Sequence, residues 1–514
     1  MTTHRAPRRA GPHGEAPADR ARGRAFVAAV MVLAAAVTLA CGPEETGERL
    51  AAGERPNILF VFTDDQRADA LGAYGNPYIQ TPTLDGLARR GFNFHGAHIM
   101  GSHHGAVCAP SRAMLMSGRT LFRVYDDLDS VPTFPEVLRA HGYVTFGTGK
   151  WHQSRESFAR SFTHGRRVFF GGMSDHDAVP VQDLLPDGRF SEVERDGFST
   201  NVFVDAAIDF VRTHADTGDA APFLAYVALT APHDPRTPPG EYRSMYPGEG
   251  MPLPPDFMPV HPFHNGWMTG RDEQLAAWPR TPEVIREQLG EYYGLISHLD
   301  ARLGDLLAAL DSRDLTERTV IIFSSDNGLA LGSHGLMGKQ SLYEHSTHVP
   351  LIVAGPGIPA GESPALVMLY DLFPTIAGIA GVETPAGVEG LDLSVLWRGE
   401  KTAVRDAIYT AYEDTQRSVS DGRFKLIRYP ALDHVQLFDL ESDPLELRNL
   451  ADDPDHADEK ARLTELLESE HAALGDPHPL VTEARASMEF DYASVERQPD
   501  EHQPDWVVEK YFTR

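Results

Sequence analysis

The chain has 514 residues, 42% of them apolar and 23% charged, with 74 acids against 46 lysines and arginines and a formal net charge of −28. So acidic a chain argues against nucleic acid as a partner, and a site for an anionic substrate must be a local exception built from clustered Lys, Arg, His or metal. Two cysteines, Cys41 and Cys108, give no disulfide framework, so stability rests on a large core, which this length can supply.

Residues 1–24 carry six arginines against two acids and lead into the uncharged run "AFVAAVMVLAAAVTLA", Ala25 to Ala40. A basic start and an apolar run too short to span a bilayer read as a signal peptide over 1–40. Cys41 follows directly, with Gly42 and Pro43 behind it, which resembles a bacterial lipoprotein processing site although Thr38 stands where Leu is usual. The expectation is an exported protein of the periplasm or cell envelope, held to the membrane only by a lipid on Cys41. An ordinary secretory signal with an incidental cysteine is the alternative. Removing residues 1–40 removes a net of +4 and leaves about −32 on the exported chain.

Residues 41–55 are polar and Gly-rich, a tether. The folded part opens on "PNILFVFTDD", and near-continuous apolar runs recur at 57–63, 143–148, 222–230, 318–325 and 349–354. Such runs fit strands buried on both faces, as in a parallel sheet. Between them, "TPTLDGLARRG" predicts a helix ending at Gly91, "TFPEVLRAHG" one ending at Gly142, and 282–311 a long amphipathic one. Strands alternating with helices predict an α/β domain over 56–399, with helices on both faces of a mostly parallel sheet. Residues 234–281 are dense in Pro and Gly and sustain no period, a long loop of the functional kind. From about 400 the pattern shifts to short strands, "RFKLIRY" and "VQLFDL", and an acidic helix at 455–473. This predicts a smaller α+β domain over 400–514 whose last stretch is a weakly structured polar extension. There are no internal repeats.

The polar residues stand where four of these runs end. Asp64 and Asp65 close the first, Lys150 and His152 the second, His233 the third, and Asp326-Asn327 the fourth. In an open parallel sheet these ends share one edge, where ligands bind. Each has an ordinary reading alone: an Asp pair caps or turns, a Lys reaches water, a loop His is hydrogen-bonded, "SDNG" is a turn. Together on one edge they predict a site. Asp64, Asp65, Asp326 and the Asn327 amide oxygen form an all-oxygen set that suits Ca²⁺ or Mg²⁺ and not zinc. Lys150, Lys339, Arg112 and the two histidines would make a cationic pocket for a tetrahedral oxyanion, a sulfate or phosphate ester. "CAPSRAMLMSG" predicts a helix starting just after Cys108, adding backbone N–H donors.

These residues resemble the type I sulfatases of the alkaline phosphatase superfamily. The signature Cys-x-Pro-Ser-Arg stands as Cys108-Ala109-Pro110-Ser111-Arg112, with Ser117 where Thr is more usual, and "GYVTFGTGKWH" matches the second signature with Thr148 at an often aliphatic position. "NILFVFTDDQ", "APHDP", "SDNG", "GKQSLYEHSTHVPLI" and "LFDLESDPLELRNL" follow in family order, so the likeness covers roughly 56–455. It implies an alkaline-phosphatase-like catalytic domain over 56–399 that hydrolyses sulfate esters, most naturally of a sulfated small molecule or glycan. It implies that a maturation enzyme oxidises Cys108 to Cα-formylglycine, whose hydrate is the nucleophile. One Ca²⁺ is then held by Asp64, Asp65, Asp326, Asn327 and the modified Cys108. Arg112 favours the alkoxide, His233 and Lys339 stabilise or protonate the leaving alcohol, and His152 beside Lys150 deprotonates the remaining hydroxyl so that sulfate is released. His348 stands where many relatives have Arg, and Ser333 replaces a common acid. His103, His104 and the loop 171–177 are candidates to line the substrate pocket.

Three alternatives stay open: a phosphonate monoester or phosphodiester hydrolase of the same superfamily, a calcium-binding lipoprotein without catalysis, and a cysteine hydrolase using the free thiol. Retention of Cys108, Arg112, Lys150, His152, His233 and Lys339 speaks against the second. The hard-metal set and two competing histidines speak against the third.

Overall fold

The structure, a computed structural model, describes residues 54–512 apart from Asp196, Asp219, Ala220 and Ala484. The expected signal peptide, Cys41 and the tether up to residue 53 lie outside the described residues.

The central sheet is built from β1 (Asn57–Thr63), β2 (Phe92–His98), β3 (Val144–Lys150), β4 (His164–Phe169), β5 (Phe223–Ala228), β6 (Thr319–Ser325), β7 (Leu351–Ala354) and β8 (Gly361–Met368). Their order across the sheet is β8-β2-β7-β6-β1-β5-β3-β4. Alternate residues of β1 show why the run is apolar throughout. Leu59 and Val61 enter one core, with α1 (Pro82–Arg90), α4 (Ser199–Thr217) and α5 (Pro282–Asp311). Ile58, Phe60 and Phe62 enter the other, with α2 (Cys108–Ser117) and α3 (Phe134–Ala140). A strand covered on both faces has no side left for polar residues. Thr133 caps α3 through a capping box with Glu136, and Thr281 caps α5.

One strand departs from expectation. The run at 349–354 forms β7, but it lies antiparallel to both β6 and β2. A parallel neighbour needs a covering crossover, usually a helix. The connection from β6 holds only the one-turn helix Glu344–Thr347, and the chain comes back down from the edge it left. All other sheet pairs are parallel.

The C-terminal region carries a consecutive antiparallel sheet, β9 (Ile408–Tyr412), β10 (Gln416–Ser420), β11 (Phe424–Tyr429) and β12 (His434–Asp439), with α6 (Ala457–Leu474) laid on it through Leu463 and Leu467. Gly101–Ser102, just ahead of α2, pairs with β9, so this sheet is tied to the loop that leads into α2. The terminal stretch is a correction: it is not a weakly structured extension. Residues 505–511 form helix α7 (Asp505–Tyr511), whose Tyr511 hydroxyl donates to Glu291 of α5 at 2.8 Å and whose Lys510 pairs with the same carboxylate at 2.9 Å. Val507 and Tyr511 are buried as it docks, so apolar area joins these polar contacts.

Candidate active site

β6, β1, β5 and β3 are adjacent and parallel, so their carboxyl ends form one rim. β1 delivers Asp64 and Asp65 to it, β3 delivers Lys150 and then His152, the loop after β5 delivers His233, and the loop after β6 delivers Asp326 and Asn327. Cys108 is the first residue of α2 and is buried, and Lys339 reaches in from the connection between β6 and β7. Asp64, Asp65, Cys108, Arg112, Lys150, His152, His233, Asp326, Asn327 and Lys339 therefore converge.

The contacts are short and specific. Lys150 Nζ donates to Asp64 Oδ2 at 2.5 Å and lies 3.3 Å from Cys108 Sγ. His152 Nδ1 sits 3.4 Å from the same sulfur. Arg112 Nε donates to Asp326 Oδ2 at 2.9 Å and its Nη1 to the Lys150 carbonyl at 2.8 Å. Lys339 Nζ and Asn327 Nδ2 both donate to Asp65 Oδ1, at 2.6 and 2.7 Å. His233 Nε2 is 3.7 Å from Asp65 Oδ2. Asp65 and His152 hold positive φ, 68° and 60°, conformations unusual outside glycine that recur at functional sites.

The donor set fits a hard cation. Asp64 Oδ1 and Asn327 Oδ1 are buried with no hydrogen-bond partner, and oxygens of Asp64 and Asp326 lie with Cys108 Sγ within 4.8 Å of one another. Burial and the neighbouring Asp326 push the Asp64 carboxyl well above the usual range, against the pull of Lys150. Buried carboxylates this crowded need a positive charge between them. Asp65 shows the opposite balance: burial raises it, but His233 and Lys339 bring it down to about 2. Burial lowers His233 to about 4 and, with Lys150, drives His152 well below its ordinary value, so both rings are neutral at pH 7. Burial also raises the Cys108 thiol, so it is not a ready thiolate.

The backbone of "GTGKWH" is as constrained as its side chains. Gly149 has φ +86°, and a Cβ there would sit 1.7 Å from the Ala228 carbonyl oxygen of β5. Gly149→Ala is expected to destabilise the fold by about 3 kcal/mol, through forced separation of β3 and β5 and an unfavourable φ. Chemical denaturation would show this as a lowered midpoint, and an unchanged midpoint would contradict it.

A family model described as Sulfatase matches residues 56–382. The chain belongs to the sulfatase family. A second model, N-sulphoglucosamine sulphohydrolase, C-terminal, matches residues 332–473 of this sulfatase. It is 27% identical to an N-acetylglucosamine-6-O-sulfatase of Bacteroides thetaiotaomicron over 503 residues, covering 83% of this chain and 88% of that one. A solved structure of a complex with its substrate D-glucosamine-2-N,6-O-disulfate superposes with a TM-score of 0.71 at 24% identity, over 84% of this chain and all of that one. The phosphonate monoester hydrolase of Agrobacterium radiobacter superposes with a TM-score of 0.63 at 20% identity, over 82% of this chain and 96% of that one, and so shares the fold.

Around the sulfatase centre, several contributors were not legible from the sequence. Asp234, next to His233, is buried and accepts hydrogen bonds from both Nη1 (2.6 Å) and Nη2 of Arg271, a residue of the long irregular loop. His176 Nε2 contacts the His233 carbonyl oxygen at 2.9 Å, and a Cβ on Gly172 would meet His152 Nε2 at 2.9 Å, so the loop 171–177 braces both histidines. His103 and His104 are half exposed and gather around Asp126, with His104 Nε2 2.5 Å from its carboxylate. They touch none of the convergent residues directly. Where Ser333 replaces an acid, Asp256 supplies one: its Oδ1 accepts from the Ser333 hydroxyl at 2.9 Å, and Arg67 Nη1 donates to that hydroxyl at 3.0 Å. His348 stacks on His98 with ring centroids 5.0 Å apart, beside Glu344, and takes no part at the metal set.

Proposed function

We propose that this sulfatase hydrolyses O-sulfate esters of a sulfated carbohydrate outside the cytoplasm, with Cys108 converted to formylglycine and one Ca²⁺ at Asp64, Asp65, Asp326 and Asn327. The observation that carries the reading is the pair of unpartnered buried oxygens, Asp64 Oδ1 and Asn327 Oδ1, in the same pocket as a Cys108 that opens a helix. The carbohydrate class rests on likeness to relatives whose names or titles specify sulfated glucosamine. Export, a lipid on Cys41 and a maturation enzyme acting on Cys108 are part of the same proposal, on the leader and the Cys-x-Pro-Ser-Arg signature.

When bound, the cation would draw charge from a sulfate oxygen, and the hydrated aldehyde would offer a hydroxyl nucleophile that a buried thiol does not. The chain's own residues do the rest. Lys150, 3.3 Å from the side chain at 108, holds positive charge against it, and neutral His152 at 3.4 Å is placed to accept its proton. Arg112, bonded to Asp326 and to the Lys150 carbonyl, locks a metal ligand and the strand end carrying the lysine. Lys339 and His233 flank Asp65 and face the side where the alcohol departs.

Paired rates on aryl sulfate and aryl phosphonate esters test the reaction class. The expected result is a kcat/KM for sulfate larger by at least about tenfold, some 1.4 kcal/mol in transition-state binding. Preference for the phosphonate would replace this reading with the hydrolase class whose fold is shared.

A further inference from the structure

We infer that the C-terminal tail positions the leaving-group side of the active site: Asp500 and Gln503, through Arg271, hold the Asp234–His233 pair and the Asp272–Gln340–Lys339 segment in place. The inference rests on the proposed sulfate-ester reading and on the side of the site assigned there to His233 and Lys339.

The connections are continuous and mostly buried. Asp500 Oδ2 accepts from Arg271 Nε at 2.8 Å and from Arg271 Nη2 at 2.7 Å. The same guanidinium is forked onto Asp234, and its Nη1 also donates to Asp272 Oδ1 at 2.9 Å. Gln503 Nε2 donates to Asp234 Oδ2 at 2.8 Å. Asp234 therefore has its carboxylate oriented from two directions, one of them the tail alone. Its Oδ1 lies 3.3 Å from His233 Nδ1, which also meets the Asp234 carbonyl oxygen at 2.8 Å. That arrangement fixes the ring so that Nε2 points toward Asp65 and the pocket. On the other branch, Asp272 Oδ2 accepts from Gln340 Nε2 at 2.8 Å, and Gln340 Nε2 also donates to the Gly105 carbonyl, three residues before Cys108, at 3.0 Å. Gln340 follows Lys339 directly, and its Oε1 accepts the Lys339 backbone N–H at 3.0 Å.

One guanidinium shared by three carboxylates has a fixed geometry only while every partner is present. Arg271 is the N-cap of a single 3-10 turn, Asp272–Leu275, and its planar fork is held by Asp500 on one side and by Asp234 and Asp272 on the other. Removing Asp500 leaves the guanidinium free to follow water, and the orientation of His233 loosens with it. Of Lys339 and His233, the lysine is the cation with a proton to give, with the His233 ring beside it, and their misplacement by a fraction of an ångström is felt in kcat and not in ground-state binding. The loss is greatest for esters whose alcohol cannot leave without a proton.

The test uses the full matured chain and a series of aryl sulfates from 4-nitrophenyl, which departs unaided, to 4-methoxyphenyl, which needs protonation. Asp500→Ala and Gln503→Ala are each expected to lower kcat about tenfold on the 4-methoxyphenyl ester and less than about twofold on the 4-nitrophenyl ester, with KM nearly unchanged. Asp500→Glu should restore part of the loss. Lys510→Ala, on the same tail but bonded only to α5 carboxylates, should leave both rates at the wild-type level. Equal losses on the two esters, matched by the same fall in Tm in all variants including Lys510→Ala, would make the tail a structural strap and overturn the inference. Wild-type rates in both Asp500→Ala and Gln503→Ala would do so as well. If Asp500→Ala does not fold, Gln503→Ala, which removes an uncharged side chain donating to Asp234 and Asp500, decides the matter. A wild type that turns over phosphonates and not sulfates would overturn the sulfate reading alone, and the same leaving-group comparison would then be made on aryl phosphonates.

Discussion

Cys108→Ala is expected to abolish ester turnover, by at least about 10³-fold, while the protein keeps its fold. The side chain at 108 is within reach of both Lys150, at 3.3 Å, and His152, at 3.4 Å. Alanine leaves those two groups nothing to act on. The structural cost is small, because one buried sulfur at the first turn of α2 is worth about 1 kcal/mol and no disulfide is lost. Initial rates on an aryl sulfate and a thermal melt check the two halves of the expectation. Mass spectrometry of the Cys108 peptide from natively expressed wild type should find the aldehyde. An unmodified thiol in active protein would sink the formylglycine part of the proposal.

Asp64→Asn carries the second large effect. With Asp64 Oδ1 unpartnered and Oδ2 bound to Lys150, this carboxylate is the one the fold leaves most in need of a cation. The expected loss is about 4 kcal/mol of transition-state stabilisation, roughly a thousandfold in rate. A second readout is independent of catalysis. Ca²⁺ at a hundred times its dissociation constant should stabilise the wild type by about 2.7 kcal/mol, seen as a rise in Tm over chelator-treated protein. The Asn variant should show little of that rise at the same concentration. An undiminished rise would place the cation elsewhere.

Legibility followed burial. Five runs announced strands because a strand covered on both faces must be apolar along its length, as β1 is from Ile58 to Phe62. β2, "FNFHGAH", gave no such signal: Asn93 and the exposed His95 interrupt it. β4 and β8 are the outermost strands of the sheet, and each is apolar over only half its length. The antiparallel course of β7 could not be read at all, since direction depends on the connection and not on the strand's composition. The site was legible in its convergent members because they stand at strand ends, where one topological rule brings them together. Asp234, Arg271, Asp272 and Gln340 were not, because they act through loops whose paths no periodicity records. The terminal stretch misled for a related reason: α7 docks on α5 by Lys510 and Tyr511 reaching Glu291, and a polar docking face looks like a solvated one.

By itself, the sequence determined the α/β class, the residues of the rim and the chemistry those residue types allow. Apolar runs, caps and a nucleophile signature are local patterns, and each carries its physical reason within a few residues. Only the tertiary structure decided which cation pairs with which carboxylate, that Asp64 and Asn327 keep an oxygen free, and that a tail near residue 500 reaches the neighbour of His233. Hydrogen bonds and charge pairs act over about 3 Å between residues that lie far apart along the chain, so their partners exist only once the fold has brought them together.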